Sequence, residues 1–591
     1  MKWTEEQKKV IDLRNRNILV SAAAGKTAVL VERIISMISE GEHPIDIDRL
    51  LIVTFTNKAA AEMRERIGKA IDKKIKEMPE NPHLQKQMTL IHSAQITTIH
   101  SFCLNVIRNH FNLIDLDPSF RIADEAELTL LKSDVLGELL ENYYEEGGEE
   151  FLDFIESFSA GKSDDEIEDL VLKLYHFSMS YPWPEEWLEE KKSTFDVNSV
   201  EDMKKSDWMM ALLHHINSVV ADMMERCEEA LSICNDTDGP GAYRAALQND
   251  MALLDALLKI KDYEQYGAAL SDFNFARLSG KKEEGVREEK KSQVKAIRDD
   301  IKKVINDLKK NYFFQSPEEM LADLQAMKQQ VEVLINLTKD FAAAFADKKA
   351  DKNLVDFNDL EHFALNILVH KENGLEKPSP AADELSEYYE EILIDEYQDS
   401  NFVQEKILNS ISKERMGRPN LFMVGDVKQS IYKFRLARPE LFMEKYMEYS
   451  TEDKIPCTDM QGFQLENDTK DSGKSEILNE SPNVTDVKGY ANLIDGQDNT
   501  QLIDNPYQRI DLHKNFRSRE VVLNSINFLF EQIMTKKLGN IEYDDKAALY
   551  PGADFGREEK GISKDTELML VNIGPNEEAM DGEADSIIHS D

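Results

Sequence analysis

Three consecutive residues, Gly25-Lys26-Thr27, have the chemistry needed to bind a phosphate group. They lie between an apolar segment at 17–20, which predicts a buried strand, and a helical pattern at 27–38. At such a junction the N–H groups of the helix N-terminus attract phosphate, lysine neutralises it, and the threonine hydroxyl can ligate Mg²⁺. In the full phosphate-loop pattern a small residue stands five positions before this glycine, where this chain has Val20. An ordinary strand-to-helix turn is therefore the alternative interpretation.

Two adjacent carboxylates, Asp395 and Glu396, follow another apolar strand pattern at 391–394. Ligands of α/β proteins bind at the carboxyl ends of the strands, where these two side chains would stand. In that position Asp395 would hold Mg²⁺ and Glu396 would activate a water molecule. The alternative is a solvated acidic loop without a ligand.

A third group of chemical side chains lies at 425–435, again directly after an apolar strand pattern, at 420–424. Gln429 is placed to reach a γ-phosphate, whereas Tyr432, Phe434 and Arg435 have the character of groups that stack on bases and pair with the backbone of single-stranded DNA. The alternative is that both aromatic side chains belong to the core.

These side chains need a scaffold that brings strand ends together, and the order of the apolar patterns predicts one. Strand and helix patterns alternate at 17–20, 27–38, 50–55 and 58–74, which is typical of a parallel α/β sheet. Long charged helices then predict a helical insertion, and later strand patterns complete the first domain. We divide the chain into 1–120 and 356–456 as the two parts of the first domain, 121–355 as the helical insertion, 457–508 as a polar, flexible insertion, and 509–591 as the start of a second domain.

The composition limits the possible functions. The chain has 591 residues and a net charge of −42, which disfavours non-specific binding to nucleic acid, so any DNA contact must be local. No apolar run approaches the ~18–20 residues that span a bilayer, and the charged N-terminus lacks the apolar core of a secretory signal. We therefore expect a cytoplasmic protein with no membrane partner. The four cysteines form no C-x-x-C pair, which predicts neither a disulfide framework nor a zinc site.

In their order along the chain, the three chemical segments resemble motifs I, II and III of the UvrD/Rep class of superfamily 1 helicases. Four further segments resemble other motifs of that class: residues 3–7 the adenine-reading Q motif, 54–66 motif Ia, 98–103 the next DNA-contacting motif, and 515–518 motif IV. Chance agreement of seven ordered motifs is negligible. The Ser-Ala-Ala-Ala sequence at 21–24, the Thr-Ile-His-Ser-Phe-Cys form at 98–103 and the long helical insertion are similar to the larger, AddA-type subunits of AddAB helicase-nucleases.

The resemblance implies a RecA-like parallel-sheet P-loop NTPase core, the start of a second RecA-like core, ATP and Mg²⁺ between them, and 3′→5′ movement along single-stranded DNA. It implies that Arg517 arrives from the second core to stabilise charge in the transition state. The implied catalytic residues are Glu396, Gln429 and Arg517. The implied nucleotide-binding residues are Gln7, Gly25, Lys26, Thr27, Arg66 and Phe516, of which Gln7 reads adenine and Phe516 stacks on it. The implied metal ligands are Thr27 and Asp395. The implied DNA track is Phe55, Thr56, Asn57, His100, Tyr432, Phe434 and Arg435.

The resemblance further implies the motor subunit of a helicase-nuclease of double-strand-break repair and recombination, acting on duplex ends and single strands with an AddB-like partner subunit. The chain departs from the family in three places. The family loop reads Ser-Ala-Ala-Ala-Gly-Ser-Gly-Lys-Thr, whereas Gly25 here precedes Lys26 directly, which shortens the phosphate cradle by up to ~7 Å. The polar segment 457–508 is additional, and the few residues after Arg517 predict neither a complete second core nor a nuclease domain. The alternative function is a nucleotide-dead relative that only binds DNA or docks a partner.

Overall fold

A six-stranded parallel sheet forms the centre of the computed structural model, which describes residues 3–22, 25–114, 116–159, 163–281, 283–372, 374–433, 436–456, 502–535, 541–555 and 569. In chain order its strands are β1 (Asn17–Ala22), β2 (Leu50–Thr54), β3 (Gln95–Thr98), β4 (Glu391–Ile394), β5 (Leu421–Gly425) and β6 (Tyr507–Leu512). Their spatial order is β6-β1-β5-β4-β2-β3, and every neighbouring pair is parallel. All six strands therefore end at the same edge of the sheet.

Helices cover both faces of this sheet, which is why its strands are apolar throughout. Successive side chains of a strand point to opposite faces, and in β1 Leu19 packs into one core cluster while Ile18 and Val20 pack into the other. The helices around the sheet and after it are Glu5–Asp12, Lys26–Ser39, Asn57–Glu77, Pro82–Leu90, Ile99–His110, Phe357–Leu368, Pro380–Tyr388, Phe402–Ser410, Pro439–Glu448 and Glu520–Ile533. The prediction of a parallel α/β core is confirmed.

A large helical body is inserted between β3 and β4. Its helices are Glu125–Glu146, Gly148–Phe158, Asp165–Ser178, Pro184–Ser193, Val200–Lys204, Asp207–Asn235, Arg244–Leu258, Tyr263–Ser271, Glu288–Tyr312 and Pro317–Asp351. They pack around two apolar clusters of their own. The last of these helices has 35 residues and contributes side chains to both clusters, so it joins the two halves of the insertion.

The insertion is attached to the core by a pair of short strands. The chain enters through Arg121–Ile122 and leaves through Leu354–Val355, and these two strands pair in parallel register. A second contact surrounds Arg438, whose guanidinium carbon lies 5.1–5.2 Å from the ring centroids of Phe177, Tyr181 and Phe402. Phe177 and Tyr181 belong to the insertion, so this cation–π cluster ties it to the core.

The last strand of the sheet corrects two predicted boundaries. Residues 507–512 do not begin a second domain, because β6 pairs with β1 along its whole length, from Asn17 opposite Tyr507 to Ala22 opposite Leu512. The polar segment also ends earlier than predicted, since Gln508 is fully buried within this strand. Its amide is satisfied by Arg16 and Asp453 at 2.8 and 2.7 Å, which makes a polar residue compatible with a buried edge. Residues 457–501 lie outside the described part of the chain.

Three other strand pairs are short. They are Val369–Glu372 with Leu375–Pro378, Lys454–Pro456 with Leu502–Asp504, and Lys514–Asn515 with Tyr550–Pro551. Among the described residues, no helix combines the length and the apolar character needed to cross a bilayer.

Candidate functional site

A cavity of about 300 Å³ opens where β1, β4 and β5 end. It is lined by Gly25, Lys26, Thr27, Ala28, Arg66, Glu396, Gln429, Phe516 and Arg517. All of these except Ala28 were predicted to handle a nucleotide, although they come from five separate segments of the sequence. The structure thus brings together most of the predicted nucleotide-binding and catalytic side chains.

The phosphate-binding tripeptide forms the junction between β1 and the next helix. Gly25 is the N-cap residue and has φ +83°, a left-handed conformation that glycine adopts without strain, and the helix begins at Lys26. The side chain of Lys26 is only 9% exposed and forms an ion pair with Glu396. The ammonium group is therefore held at the floor of the cavity. Ala23 and Ala24, which precede the glycine, lie outside the described residues.

The two carboxylates follow β4 in an unusual backbone conformation. The N–H of Asp395 continues the sheet by donating to the carbonyl of Val53 at 2.9 Å, and the next residue, Glu396, has φ +55° and ψ +44°. A left-handed conformation is rare outside glycine and is concentrated at functional sites. Burial, and then the charge of Glu396, raise the pKa of Asp395 to about 6. The turn places an excess of negative charge beside Lys26.

A hydrogen-bonded chain connects the carboxylates to the segment after β5. Gln398 donates from Nε2 to Glu396 Oε2 at 2.9 Å and accepts from the N–H of Asp426 at 2.9 Å. Asp426 Oδ2 in turn accepts from Gln429 Nε2 at 2.8 Å. Sequence reasoning did not identify Gln398. The signal was the neighbouring Gly425, where a Cβ atom would lie 2.5 Å from Gln398 Oε1.

The opposite wall of the cavity is a turn that presents Phe516 and Arg517. Asn515 Oδ1 accepts from the N–H groups of Arg517 and Ser518 at 2.8 and 2.9 Å, which fixes the turn. Gly552 packs directly against the Phe516 ring, since a Cβ atom there would lie 2.8 Å from it. The other predicted phosphate-facing arginine, Arg66, forms an ion pair with Glu62 on its own helix.

Two predicted residues lie apart from this cavity. Gln7 lines a separate cavity of about 70 Å³ with Leu512, His513 and other residues. Its Oε1 accepts from the N–H of Thr4 at 3.0 Å in a helix capping box, so its side chain also has a structural role. Asp395 does not line the main cavity either, and lies behind Glu396.

The side chains present are suited to Mg²⁺. Thr27 and the carboxylate of Asp395 offer oxygen ligands, and the buried Oδ1 of Asp399 has no hydrogen-bond partner among the described residues. In the part of the chain that the structure describes, no group of three or more His, Cys, Asp or Glu side chains forms a complete metal cage. This donor set fits Mg²⁺, which proteins commonly hold through one or two carboxylates together with substrate phosphates.

The predicted DNA-track residues follow β2, β3 and β5 at the same sheet edge. Phe55 and Tyr432 contact each other with ring centroids 4.6 Å apart, and both are half-buried rather than core residues. Thr56 caps a helix that begins with the exposed Asn57. His100 is 36% exposed and lies 3.1 Å from the buried Glu361. Phe434 and Arg435 lie outside the described residues.

Comparisons with known proteins agree with this geometry. The profile of the UvrD/REP helicase N-terminal domain matches residues 3–450. The chain is 51% identical over 99% of its length to the A subunit of the ATP-dependent helicase/nuclease of Lachnoclostridium phytofermentans, of which it covers 40%. It is 43% identical over 96% of its length to the protein of the same name from Acetivibrio thermocellus, and 40% identical over 94% to that from Clostridium beijerinckii, covering 42% and 41% of them. The chain therefore spans about two fifths of these relatives. It belongs to the UvrD/REP helicase family, within which it is similar to these helicase/nuclease proteins.

Proposed function

We propose that this chain is the nucleotide-binding motor portion of an ATP-dependent DNA helicase, moving 3′→5′ along single-stranded DNA. The observation that carries the proposal is the cavity in which Lys26 and Glu396 face Phe516 and Arg517. Relatives named as subunits of helicase-nucleases support a role in double-strand-break repair and recombination, on duplex ends and with an AddB-like partner. Within this function, the predicted domain division, corrected at β6, separates a motor core from a helical insertion.

Nucleotide binding would exchange the partners of Lys26. Its ammonium group now neutralises Glu396, and an incoming phosphate would attract it away from that carboxylate. Glu396 would then be free to accept a proton from the attacking water, as a general base does. Mg²⁺, held by Thr27 and Asp395, would neutralise phosphate charge. Arg517, which is exposed at the cavity wall, would approach the transferred phosphate.

The same network would link hydrolysis to DNA. Gln429 lines the nucleotide cavity, and Tyr432, three residues later, contacts Phe55 on the DNA track. A shift of Gln429 toward phosphate would pull on Asp426 and Gln398 and also on the aromatic pair. This short connection accounts for a motor whose ATP turnover depends on bound DNA.

One observation favours a second candidate function. The helix starts at Lys26 immediately after Gly25, so the loop before it is shorter than the family pattern. A nucleotide-dead relative that only binds DNA or docks a partner is the alternative proposal. It retains the track residues without using the cavity.

ATP turnover by this chain, measured at saturating ATP with and without single-stranded DNA, separates the two candidates. We expect turnover that rises on addition of DNA and is abolished in Lys26→Ala. Lys69→Ala, which removes an exposed lysine from a neighbouring helix, is the matched control and should retain it. DNA binding with no turnover in any condition would favour the docking module.

A further inference from the structure

A buried carboxylate lies directly behind the DNA-track histidine. Glu361, on the helix Phe357–Leu368, has a side chain that is only 4% exposed. Its Oε1 lies 3.1 Å from His100 Nε2 and also accepts from Gln404 Nε2 at 2.7 Å. Its Oε2 accepts from Asn401 Nδ2 at 3.1 Å. Among the described residues, its partners are thus one imidazole and two amides.

These partners keep Glu361 in its anionic form. Burial alone raises the pKa of such a carboxyl, but the hydrogen bond and charge of His100, together with the two amides, hold the pKa of Glu361 below its ordinary value. The neighbouring thiol reports the same charge, because burial and then the negative Glu361 raise the pKa of Cys103. A buried anion is tolerated only where donors satisfy it, so this arrangement is specific.

The contact fixes the orientation of His100. The imidazole is held at Nε2 by Glu361 and is packed edge-on against Phe357, with ring centroids 5.1 Å apart. Its remaining edge, which carries Nδ1, is therefore the part available to a ligand. The residue itself lies in the first turn of the helix Ile99–His110, directly after β3, at the sheet edge that bears the other track residues.

The same carboxylate contacts the segment that follows the catalytic turn. Asn401 is the N-cap of the helix Phe402–Ser410, and its Oδ1 accepts from the N–H of Gln404 at 2.8 Å. Both amide donors of Glu361 therefore belong to the helix start that lies five residues after Glu396. Glu361 is bonded at once to the DNA track and to the chain leaving the nucleotide cavity.

We propose that Glu361 is a positioning residue that orients His100 for single-stranded DNA and connects it to the helix following the catalytic carboxylates. The inference rests on the proposed function, since it presumes that His100 faces DNA. Glu361 itself is buried and touches no DNA. Its effect on DNA must therefore pass through His100, which makes the proposal testable by combining substitutions.

The test is a double-mutant cycle on the full chain, with affinity for a fluorescently labelled oligothymidylate measured by anisotropy without nucleotide. Glu361→Gln, which keeps the shape and removes the charge, should weaken binding roughly two- to tenfold, the effect of losing one hydrogen bond. In a His100→Ala background the same substitution should cause no further loss, because coupled residues are not additive. Thermal unfolding should show that Glu361→Gln lowers stability in both backgrounds.

Glu391→Gln is the matched control. Glu391 is also a buried carboxylate paired with a cation, Arg33 at 2.6 Å, but it stands at the opposite end of β4. Its substitution should lower stability without changing affinity for the oligothymidylate per folded molecule. Equal losses of affinity from Glu361→Gln with and without His100, or no loss at all, would overturn the inference alone. Failure of the unaltered chain to bind oligothymidylate would overturn the proposed function as well.

Discussion

At the scale of single residues, Glu396 combines a strained backbone with a position opposite Lys26. A side chain held in the left-handed region costs about 1–3 kcal/mol, which the fold sustains where the orientation has a use. Here the turn directs one carboxylate into the cavity and leaves the adjacent Asp395 behind it. The two neighbours can therefore take different roles.

Replacing Glu396 should separate chemistry from binding. Glu396→Gln is expected to lower ATP turnover by ~10²–10⁴-fold, the range for loss of a general base, while the affinity for ATP stays unchanged or rises. The measurement is steady-state turnover together with calorimetric binding. Glu65→Gln, an exposed residue paired with Lys69, is the control and should change neither quantity. Undiminished turnover in Glu396→Gln would remove this residue from the mechanism.

The raised pKa of Asp395 predicts a pH dependence of stability. Burial raises this pKa from 3.8 to about 6, so the folded chain binds more protons than the unfolded chain between these values. Stability from this group is present below pH ~4 and is lost as pH rises through ~6, a loss on the order of 2–3 kcal/mol. Asp395→Asn should flatten that decline in urea unfolding and abolish Mg²⁺-dependent ATP binding. Asp399, whose pKa is likewise raised to about 6 by burial and by Glu396, should leave a residual slope of the same sign. An unchanged slope in Asp395→Asn would contradict the assignment.

At the scale of elements, the junction between β1 and the helix Lys26–Ser39 limits nucleotide affinity. A phosphate cradle works by curling successive N–H groups around the phosphate before the helix starts, and here the first helical residue follows Gly25 directly. The cavity is otherwise assembled from its predicted parts. The loop is thus the element whose length, rather than whose residues, decides binding.

Lengthening this loop should strengthen binding. Insertion of Ser-Gly between Gly25 and Lys26 is expected to raise the affinity for ATP–Mg²⁺ roughly tenfold or more, since each added N–H bond to a charged phosphate is worth about 1.5–3 kcal/mol. Calorimetry on both chains provides the comparison. The same insertion after Gly285, in an exposed turn of the helical insertion, should leave affinity unchanged. Tight Mg²⁺-dependent binding by the unaltered chain would show that the short loop is not disabling.

Local sequence patterns predicted the elements whose periodicity is set by burial. Strands such as β2, buried along its whole length, are apolar on both faces and could be recognised directly. β6 could not, because Gln508 and Asn505 look like loop residues until their partners Arg16, Asp453 and Ser450 are brought close by the fold. Gln398 and Glu361 were missed for the same reason, since each is defined by contacts with distant segments. Motif residues were found because each follows a strand end, where the topology forces convergence.

At the scale of the whole molecule, a net charge of −42 must be reconciled with DNA binding. The track offers aromatic surfaces such as Phe55 and Tyr432 and a fixed imidazole rather than a broad basic face. Stacking is insensitive to salt, whereas each phosphate contact releases counterions. Affinity should therefore rest on few ionic contacts.

The dependence of binding on salt tests this division. With roughly three phosphate contacts, the logarithm of the affinity for oligothymidylate should fall with the logarithm of salt concentration with a slope of about −2. Anisotropy titrations across a series of NaCl concentrations give this slope. Tyr432→Ala should lower the affinity and leave the slope unchanged. A slope several times steeper would show that a basic surface dominates instead.

The paired strands Arg121–Ile122 and Leu354–Val355 have a consequence for how such motors diversify. Because the inserted body leaves and rejoins the core at one place, a gene segment acquired there adds a whole helical module without disturbing the register of the six strands. The spacing of the strand-end side chains is then inherited intact. Selection can remodel the module for new partners or new substrates, and the cation–π cluster around Arg438 is the contact that must change with it. The two parts of the chain can accordingly evolve at different rates.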